Sequence, residues 1–176
     1  MKATHLLETQ HRQVKALLKR LEPGDRDEQS ALEELANRLA AHLTVEQDIF
    51  YPAVRRVAAE LVDESYEEHA LVEVALKRLL TTAPEEDAFQ ARLRALEDVI
   101  ERHVQEEEDE LFPQVEAALD SETLEQLGRS MQERFDEVFA NGFESVLPTG
   151  WAKTSADIAR QAVGQNGTKK ASRPAA

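Results

Sequence analysis

His42-Leu43-Thr44-Val45-Glu46-Gln47-Asp48-Ile49-Phe50-Tyr51-Pro52 returns 61 residues later as His103-Val104-Gln105-Glu106-Glu107-Glu108-Asp109-Glu110-Leu111-Phe112-Pro113. The copies share a histidine, a glutamate four residues on, an aspartate six on and a proline ten on. A fainter copy, at an offset of 58, relates His11, Val14, Leu18, Lys19, Arg20 and Leu21 to His69, Val72, Leu76, Lys77, Arg78 and Leu79. Each half thus holds a single-histidine segment followed by a His-x-x-x-Glu segment, and the halves read as two copies of one helical hairpin. Packed antiparallel, two such hairpins form an all-α, up-down-up-down four-helix bundle with approximate two-fold symmetry.

Helical periodicity extends outward from the repeats, and turn residues divide the chain into five segments. The first is expected from about Thr4 to Leu21, before Glu22-Pro23-Gly24-Asp25. The second starts near Asp27, a candidate N-cap, and runs to Tyr51, where Pro52 should kink or end it before a short continuation to about Leu61. The third spans about Asp63 to Leu80, and the fourth about Glu85 to Phe112, where it meets Pro113. An extra C-terminal helix follows Asp120-Ser121 and reaches about Phe139. The expected organisation is a bundle with its following helix over residues 1–140 and an irregular, flexible tail over 141–176. Within that tail Thr154 to Val163 has the length of one short helix, with Trp151 as its anchor.

The histidines fall on apolar stripes. Leu32, Leu35, Leu39, His42, Glu46 and Ile49 recur at alternating steps of three and four, as do Phe89, Leu93, Leu96, Ile100, His103 and Glu107, with Leu111 a further four on. Leu7, His11, Val14, Leu18 and Leu21 line the first helix, and Tyr66, His69, Glu73, Leu76 and Leu80 the third. Burying ionised carboxylates and unpartnered imidazoles costs several kcal/mol, so four histidines and two or three glutamates at one depth require compensation. A metal supplies it. Residues four apart on a helix have Cβ atoms about 5 to 6 Å apart, so each His-x-x-x-Glu pair can present a nitrogen and an oxygen to one or two adjacent ions. The candidate ligands are His11, His42, Glu46, His69, His103 and Glu107, with Glu73 as a further possibility whose repeat counterpart is Lys15.

Taken alone, a His-x-x-x-Glu on a helix is an ordinary exposed pair; the duplication and the stripe placement argue against that for the set. His5, six residues before His11, is turned away from the inward face and is expected at the surface. The run Glu106 to Glu110 is expected to be a solvated face apart from Glu107. Tyr66 is expected to be a packed core tyrosine rather than a redox-active phenol.

The order His11, His42-x-x-x-Glu46, His69, His103-x-x-x-Glu107, followed by Phe50-Tyr51-Pro52 and Leu111-Phe112-Pro113, resembles the hemerythrin-like HHE cation-binding domain over about residues 3 to 138. The resemblance implies a non-haem di-iron site bridged by carboxylates and an oxo or hydroxo group, with His11, His42, Glu46, His69, His103 and Glu107 as ligands. Oxygen-carrying hemerythrins have a second histidine one turn on along the third helix, where this chain has Glu73, so reversible oxygen carriage is not implied. The ferritin-like pattern of paired Glu-x-x-His motifs is absent: Glu8 alone precedes one of these histidines, His11, by three.

With no cysteine in its 176 residues, the chain excludes thiolate chemistry, iron–sulfur clusters and disulfides. Nitrogen and carboxylate ligands without sulfur suit iron, manganese or zinc, and iron rests on the resemblance. Two six-coordinate ions need about twelve positions; the six side chains and one oxo or hydroxo bridge fill about ten, leaving roughly two open to a small molecule such as oxygen, hydrogen peroxide or nitric oxide. The expected function is binding of, or reaction with, such oxidants in oxidative or nitrosative stress, with catalase-like peroxide dismutation as the enzymatic form. A non-enzymatic oxygen, nitric oxide or iron sensor acting through the tail is the alternative. Residues from Pro148 onward carry five Lys/Arg and one Asp, or +4, which leaves -18 of the net -14 on the first 147. Such an acidic body disfavours nucleic acid and anionic lipid. No signal-peptide pattern or membrane-length apolar run is present, so a cytoplasmic location is the default expectation.

Overall fold

The computed structural model describes residues 1–21 and 28–145. They form α1 (Ala3–Arg20), α2 (Glu28–Val45), a π-helical turn (Glu46–Phe50), α3 (Tyr51–Val54), α4 (Ala59–Leu80), α5 (Phe89–Glu106), a second π-helical turn (Glu107–Leu111), α6 (Phe112–Ala118), α7 (Ser121–Asn141) and a 3₁₀ turn (Phe143–Ser145). Each π turn joins its flanking helices into one rod, so the bundle has four rods with α7 added. Cross-rod pairs run antiparallel: Gln13 meets Arg38, Gln47 meets Tyr66, Glu68 meets Arg102 and His11 meets Glu108. The expected four-helix bundle with an extra helix is the fold found.

Boundaries differ from expectation where turn geometry overrides periodicity. The rod beyond Pro52 stops at Val54 rather than near Leu61, because Val57 N–H bonds Val54 O at 2.8 Å and Ala58 leaves helical space at φ -143°, ψ 67°. α5 begins at Phe89, not Glu85: the Glu86 carboxylate accepts from Ala83 N–H at 2.9 Å and holds a turn there. α7 starts where expected, with the Asp120 carboxylate accepting from Thr123 N–H at 2.8 Å as an N-cap. Asp27, Trp151, the segment Thr154 to Val163 and most of the expected tail lie outside the described residues.

Pro52 is accommodated within its rod because it follows a π turn. In the wider i→i+5 pattern the Gln47 carbonyl would accept from residue 52, and proline has no N–H to offer. The Tyr66 hydroxyl donates to that carbonyl instead, at 3.2 Å. Tyr66 is thus half-buried with a structural bond of its own, edge-on to Tyr51.

The interior has two apolar regions. One gathers Leu18, Leu35, Leu39, Leu76, Leu96 and Ile100; the other gathers Leu7, Val45, Phe50, Val62, Leu111 and Phe112 together with Leu124, Met131 and Phe135 of α7. Cutting a fully buried leucine such as Leu35 or Leu96 to alanine would cost about 2–5 kcal/mol. Between the two regions lies a polar layer: Gln10, His11, His42, Glu46, His69, His103 and Glu107, all buried. Among the described residues, no helix is long and apolar enough to cross a membrane.

Candidate metal centre

Every rod contributes to the layer: His11 from α1, His42 and Glu46 from the second rod, His69 from α4, His103 and Glu107 from the fourth. Each glutamate is the first residue of its π turn, one helical turn past its histidine. The four histidines turn Nε2 inward. His11 and His42 form one group with Glu46, His69 and His103 a second with the same Glu46, and within each group the ligand atoms lie within 4.8 Å of one another. Glu46 Oε2 stands 3.2 Å from both His42 Nε2 and His69 Nε2, while Glu107 Oε2 lies 3.3 Å from His11 Nε2 and 3.7 Å from His103 Nε2. Each carboxylate therefore reaches from a histidine of one group to a histidine of the other.

Side chains so placed satisfy one another only in part: His69 Nε2 pairs with His103 Nε2 at 3.2 Å, but other atoms do not. Among the described residues, His11 Nε2, both oxygens of Glu46 and Glu107 Oε2 are buried without a hydrogen-bond partner. Buried polar atoms are ordinarily paired, and each one left unpaired costs about 1–3 kcal/mol. Nitrogen and carboxylate donors facing a common point, unpaired, fit a hard or borderline divalent or trivalent cation.

Charge in the layer is divided unevenly. Burial, with the charge of Glu107 next, pushes the Glu46 carboxyl well above the usual carboxylate range. Burial acts the same way on Glu107, yet the imidazoles of His103 and His11 overcome it and hold that carboxyl below its ordinary value. His42 and His69 are lowered well below the usual imidazole value, by burial first and neighbouring histidines second. His11 is raised: burial opposes protonation, but contact with Glu107 and the hydrogen bond to Glu108 outweigh it.

An outer ring of partners orients the imidazoles, and sequence reasoning missed it. Gln10 of α1 accepts from His42 Nδ1 at 2.9 Å, and Gln47 meets His69 Nδ1 at 3.0 Å. Glu68 of α4 accepts from His103 Nδ1 at 3.1 Å, and Glu108 from His11 Nδ1 at 2.8 Å. Each rod therefore orients the histidine of the next: at His42, His103 and His11 the partner oxygen accepts from Nδ1, whereas at His69 the Gln47 amide nitrogen donates to Nδ1 and Nε2 carries the proton, 2.9 Å from the Tyr51 hydroxyl oxygen and 3.2 Å from His103 Nε2. Glu108 is thus more than the solvated residue expected of its acidic run.

Tyr51 is a second omission. Its hydroxyl lies 2.9 Å from His69 Nε2 and donates to Glu107 Oε1 at 2.8 Å. Burial first, then the charges of Glu107 and Glu46, push the phenol well above its ordinary value, so it keeps its proton.

Glu73 is not brought to the cluster. The buried face of α4 runs through Val62, Ser65, His69, Val72, Leu76 and Leu79 rather than Tyr66, Glu73 and Leu80. Glu73 is rotated to a half-buried position where its carboxylate accepts from Gln47; burial raises its pKa. His5 sits at the surface as expected, 3.9 Å from Glu116.

Fold and site together define a helical-bundle protein built to hold metal cations. The chain belongs to the hemerythrin HHE cation binding domain family, whose model matches residues 2–115. It is similar to a DNA nickase of Nostoc sp., 29% identical over 130 residues, which are 72% of this chain and 37% of that protein. It is also similar to the protein Rv2633c of Mycobacterium tuberculosis, 26% identical over 142 residues, or 78% of this chain and 88% of the other. Among solved structures it is similar to a hemerythrin HHE cation binding domain-containing protein of Mycobacterium kansasii, a homolog of Rv2633c. That likeness has a TM-score of 0.72 at 26% identity and covers 80% of this chain and 89% of that one.

Proposed function

We propose that this chain is a non-haem di-iron protein that binds or reacts with small oxidants, namely hydrogen peroxide, oxygen or nitric oxide, in the response to oxidative or nitrosative stress. The observation that carries the reading is the set of unpaired, fully buried imidazole and carboxylate atoms facing one another at mid-bundle. His11 and His42 would hold one ion and His69 and His103 the other, with Glu46 and Glu107 reaching between them. Bound iron would supply electron exchange with the small oxidant.

The chain's own residues provide the surroundings. Gln10, Glu68 and Glu108 accept from the outer nitrogens of His42, His103 and His11, and a bound ion would displace any proton an inward nitrogen holds, because ligands must be unprotonated. Tyr51 holds a proton beside His69 and Glu107, where a reacting small molecule would require one. A cavity of about 10 Å³ borders His11, His42 and His103, and Val14, Leu39, Val72 and Ile100 wall it. That is room for about one water-sized molecule, which favours peroxide or a diatomic over an organic substrate.

The deciding experiment adds hydrogen peroxide to the iron-loaded protein, with iron counted per chain, and records oxygen release. Dismutation above an equal amount of free iron is expected, and its absence would sink the enzymatic form. The sensor alternative is favoured by α7, which packs on the first π turn: Arg134 of α7 pairs with Asp48 at 3.1 Å, two residues from Glu46. On that reading ligand binding alters proteolysis beyond Ser145 with negligible turnover. The acidic body argues for neither nucleic acid nor an anionic membrane as partner, and a cytoplasmic setting is the one we favour.

A further inference from the structure

The duplication allows each residue behind the site to be compared with its counterpart. At offsets of 58 and 61, Gln10 corresponds to Glu68, His42 to His103 and Ala41 to Arg102. Gln10 and Glu68 have the same task, holding Nδ1 of the equivalent histidine at 2.9 and 3.1 Å, but they differ in charge. The second oxygen of Glu68 accepts from the Arg102 guanidinium at 2.9 and 2.7 Å. Glu68 itself is sealed from solvent, at 4% side-chain exposure, while Arg102 reaches out, at 65%.

Among the described residues, nothing equivalent stands behind His42. Gln10 is an uncharged amide whose nitrogen lacks a hydrogen-bond partner, and Ala41 is fully buried at the position of Arg102. α7 packs across α1 and α2 on that side, so a guanidinium there would have no route to water. The carboxylate behind His11, Glu108, does not restore the balance, because at 35% exposure water screens it. Of the four partners, Glu68 is therefore the sealed anion: Gln10 and Gln47 are neutral, and Glu108 is open to water.

We propose that Glu68, backed by Arg102, is a positioning residue that fixes His103 in its Nδ1–H form and strengthens its Nε2 as a donor, selectively setting the affinity of the ion position shared by His69 and His103. A carboxylate hydrogen-bonded to a ligating imidazole raises the basicity of the other nitrogen, and loss of such a partner typically costs 10–100-fold in metal affinity. The same electron donation favours the more highly charged state of the ion. This inference rests on the two-ion reading above, and its test distinguishes the two.

The probe is cobalt(II), titrated under nitrogen into metal-stripped full-length protein and followed by visible absorption. The wild type is expected to take two equivalents. Glu68→Gln, which installs the residue of the other half, is expected to weaken one equivalent by about ten-fold and leave the other unchanged. Arg102→Gln, a change at an exposed position that leaves the core intact, should give a smaller loss in the same equivalent. Iron-loaded Glu68→Gln should show a more positive reduction potential, a readout that a purely structural role would not move. Unchanged binding in both variants, or equal weakening of both equivalents, overturns the proposal. A wild type that takes fewer than two equivalents overturns the two-ion reading, and this proposal with it.

Discussion

Replacing Glu46 with glutamine should stabilise the metal-free protein while abolishing most of the stability that metal confers. Glu46 is fully buried, both of its oxygens lack a hydrogen-bond partner among the described residues, and His42 Nε2 and His69 Nε2 lie 3.2 Å from its Oε2. Because His42 Nδ1 donates to Gln10, its Nε2 is an acceptor, which repels a carboxylate but can receive an amide N–H of glutamine. Removing one buried, unpaired group is worth about 1–3 kcal/mol. Taking about 2 kcal/mol, and about 2–4 °C per kcal/mol for a chain of this size, the metal-free variant should melt roughly 4–8 °C above the metal-free wild type. The folded carboxyl holds its proton above the unfolded value, so its contribution to stability is present at low pH and lost as pH rises through the folded pKa. The advantage of the variant should therefore grow as pH is raised from about 5 to 8. With iron(II) at a hundred times its dissociation constant, the wild type should gain about 2.7 kcal/mol and the variant far less. Differential scanning calorimetry of both proteins, with and without iron(II), measures all of these quantities. A metal-free Glu46→Gln that melts below the wild type, with its helical circular dichroism intact, would refute the claim that this carboxylate is uncompensated without an ion.

Four further outcomes are expected. Tyr51→Phe keeps the ring and removes the hydroxyl, so it should retain the metal count while peroxide turnover falls by at least about ten-fold; unchanged turnover would show that the phenol holds no useful proton. Glu73→Gln should leave two ions per chain by elemental analysis, and loss of one would return this residue to the ligand set. Metal uptake should release protons and tighten with rising pH, since raised His11 and Glu46 hold protons that an ion must displace; calorimetry in two buffers of different ionisation enthalpy would detect release, and net proton uptake would contradict it. Gly128→Ala on α7 should destabilise the protein by about 1–3 kcal/mol despite the better helix propensity of alanine. Its new methyl would overlap the Met1 carbonyl and stand 3.0 Å from Ala3 N and 3.1 Å from Lys2 C, all backbone atoms with little room to yield. Denaturant unfolding with no loss of stability would show that the N-terminal segment shifts freely.

Periodicity and duplication made the bundle and the inner residues legible, because both are properties of one helix at a time. A histidine and a glutamate four apart share a face wherever the helix lies, and finding the same pair 61 residues on places them at one depth once the hairpins pack. Tyr51 escaped notice for a local reason. In an uninterrupted α-helix residue 51 falls off the stripe through His42 and Glu46, but the π turn shifts the phase, with Tyr51 N–H bonding Glu46 O, and swings the phenol beneath the site. Glu73 failed for a related one: two stripes compete on α4, one through Val72 and Leu79 and one through Glu73 and Leu80, and both contain His69.

The amino-acid sequence alone determined that four helices carry inward histidines and that two of them add glutamates, since those are matters of spacing along a rod. Only tertiary structure decided which partner each imidazole faces across to the next rod: Gln10 for His42, Gln47 for His69, Glu68 for His103 and Glu108 for His11. Each of those partners is the immediate chain neighbour of an inner residue, so in sequence it reads as the start of the solvent face. It becomes part of the site because an antiparallel neighbour lies close enough, and at the right rotation, for a side chain leaving one helix sideways to meet the outer nitrogen of a ring on another.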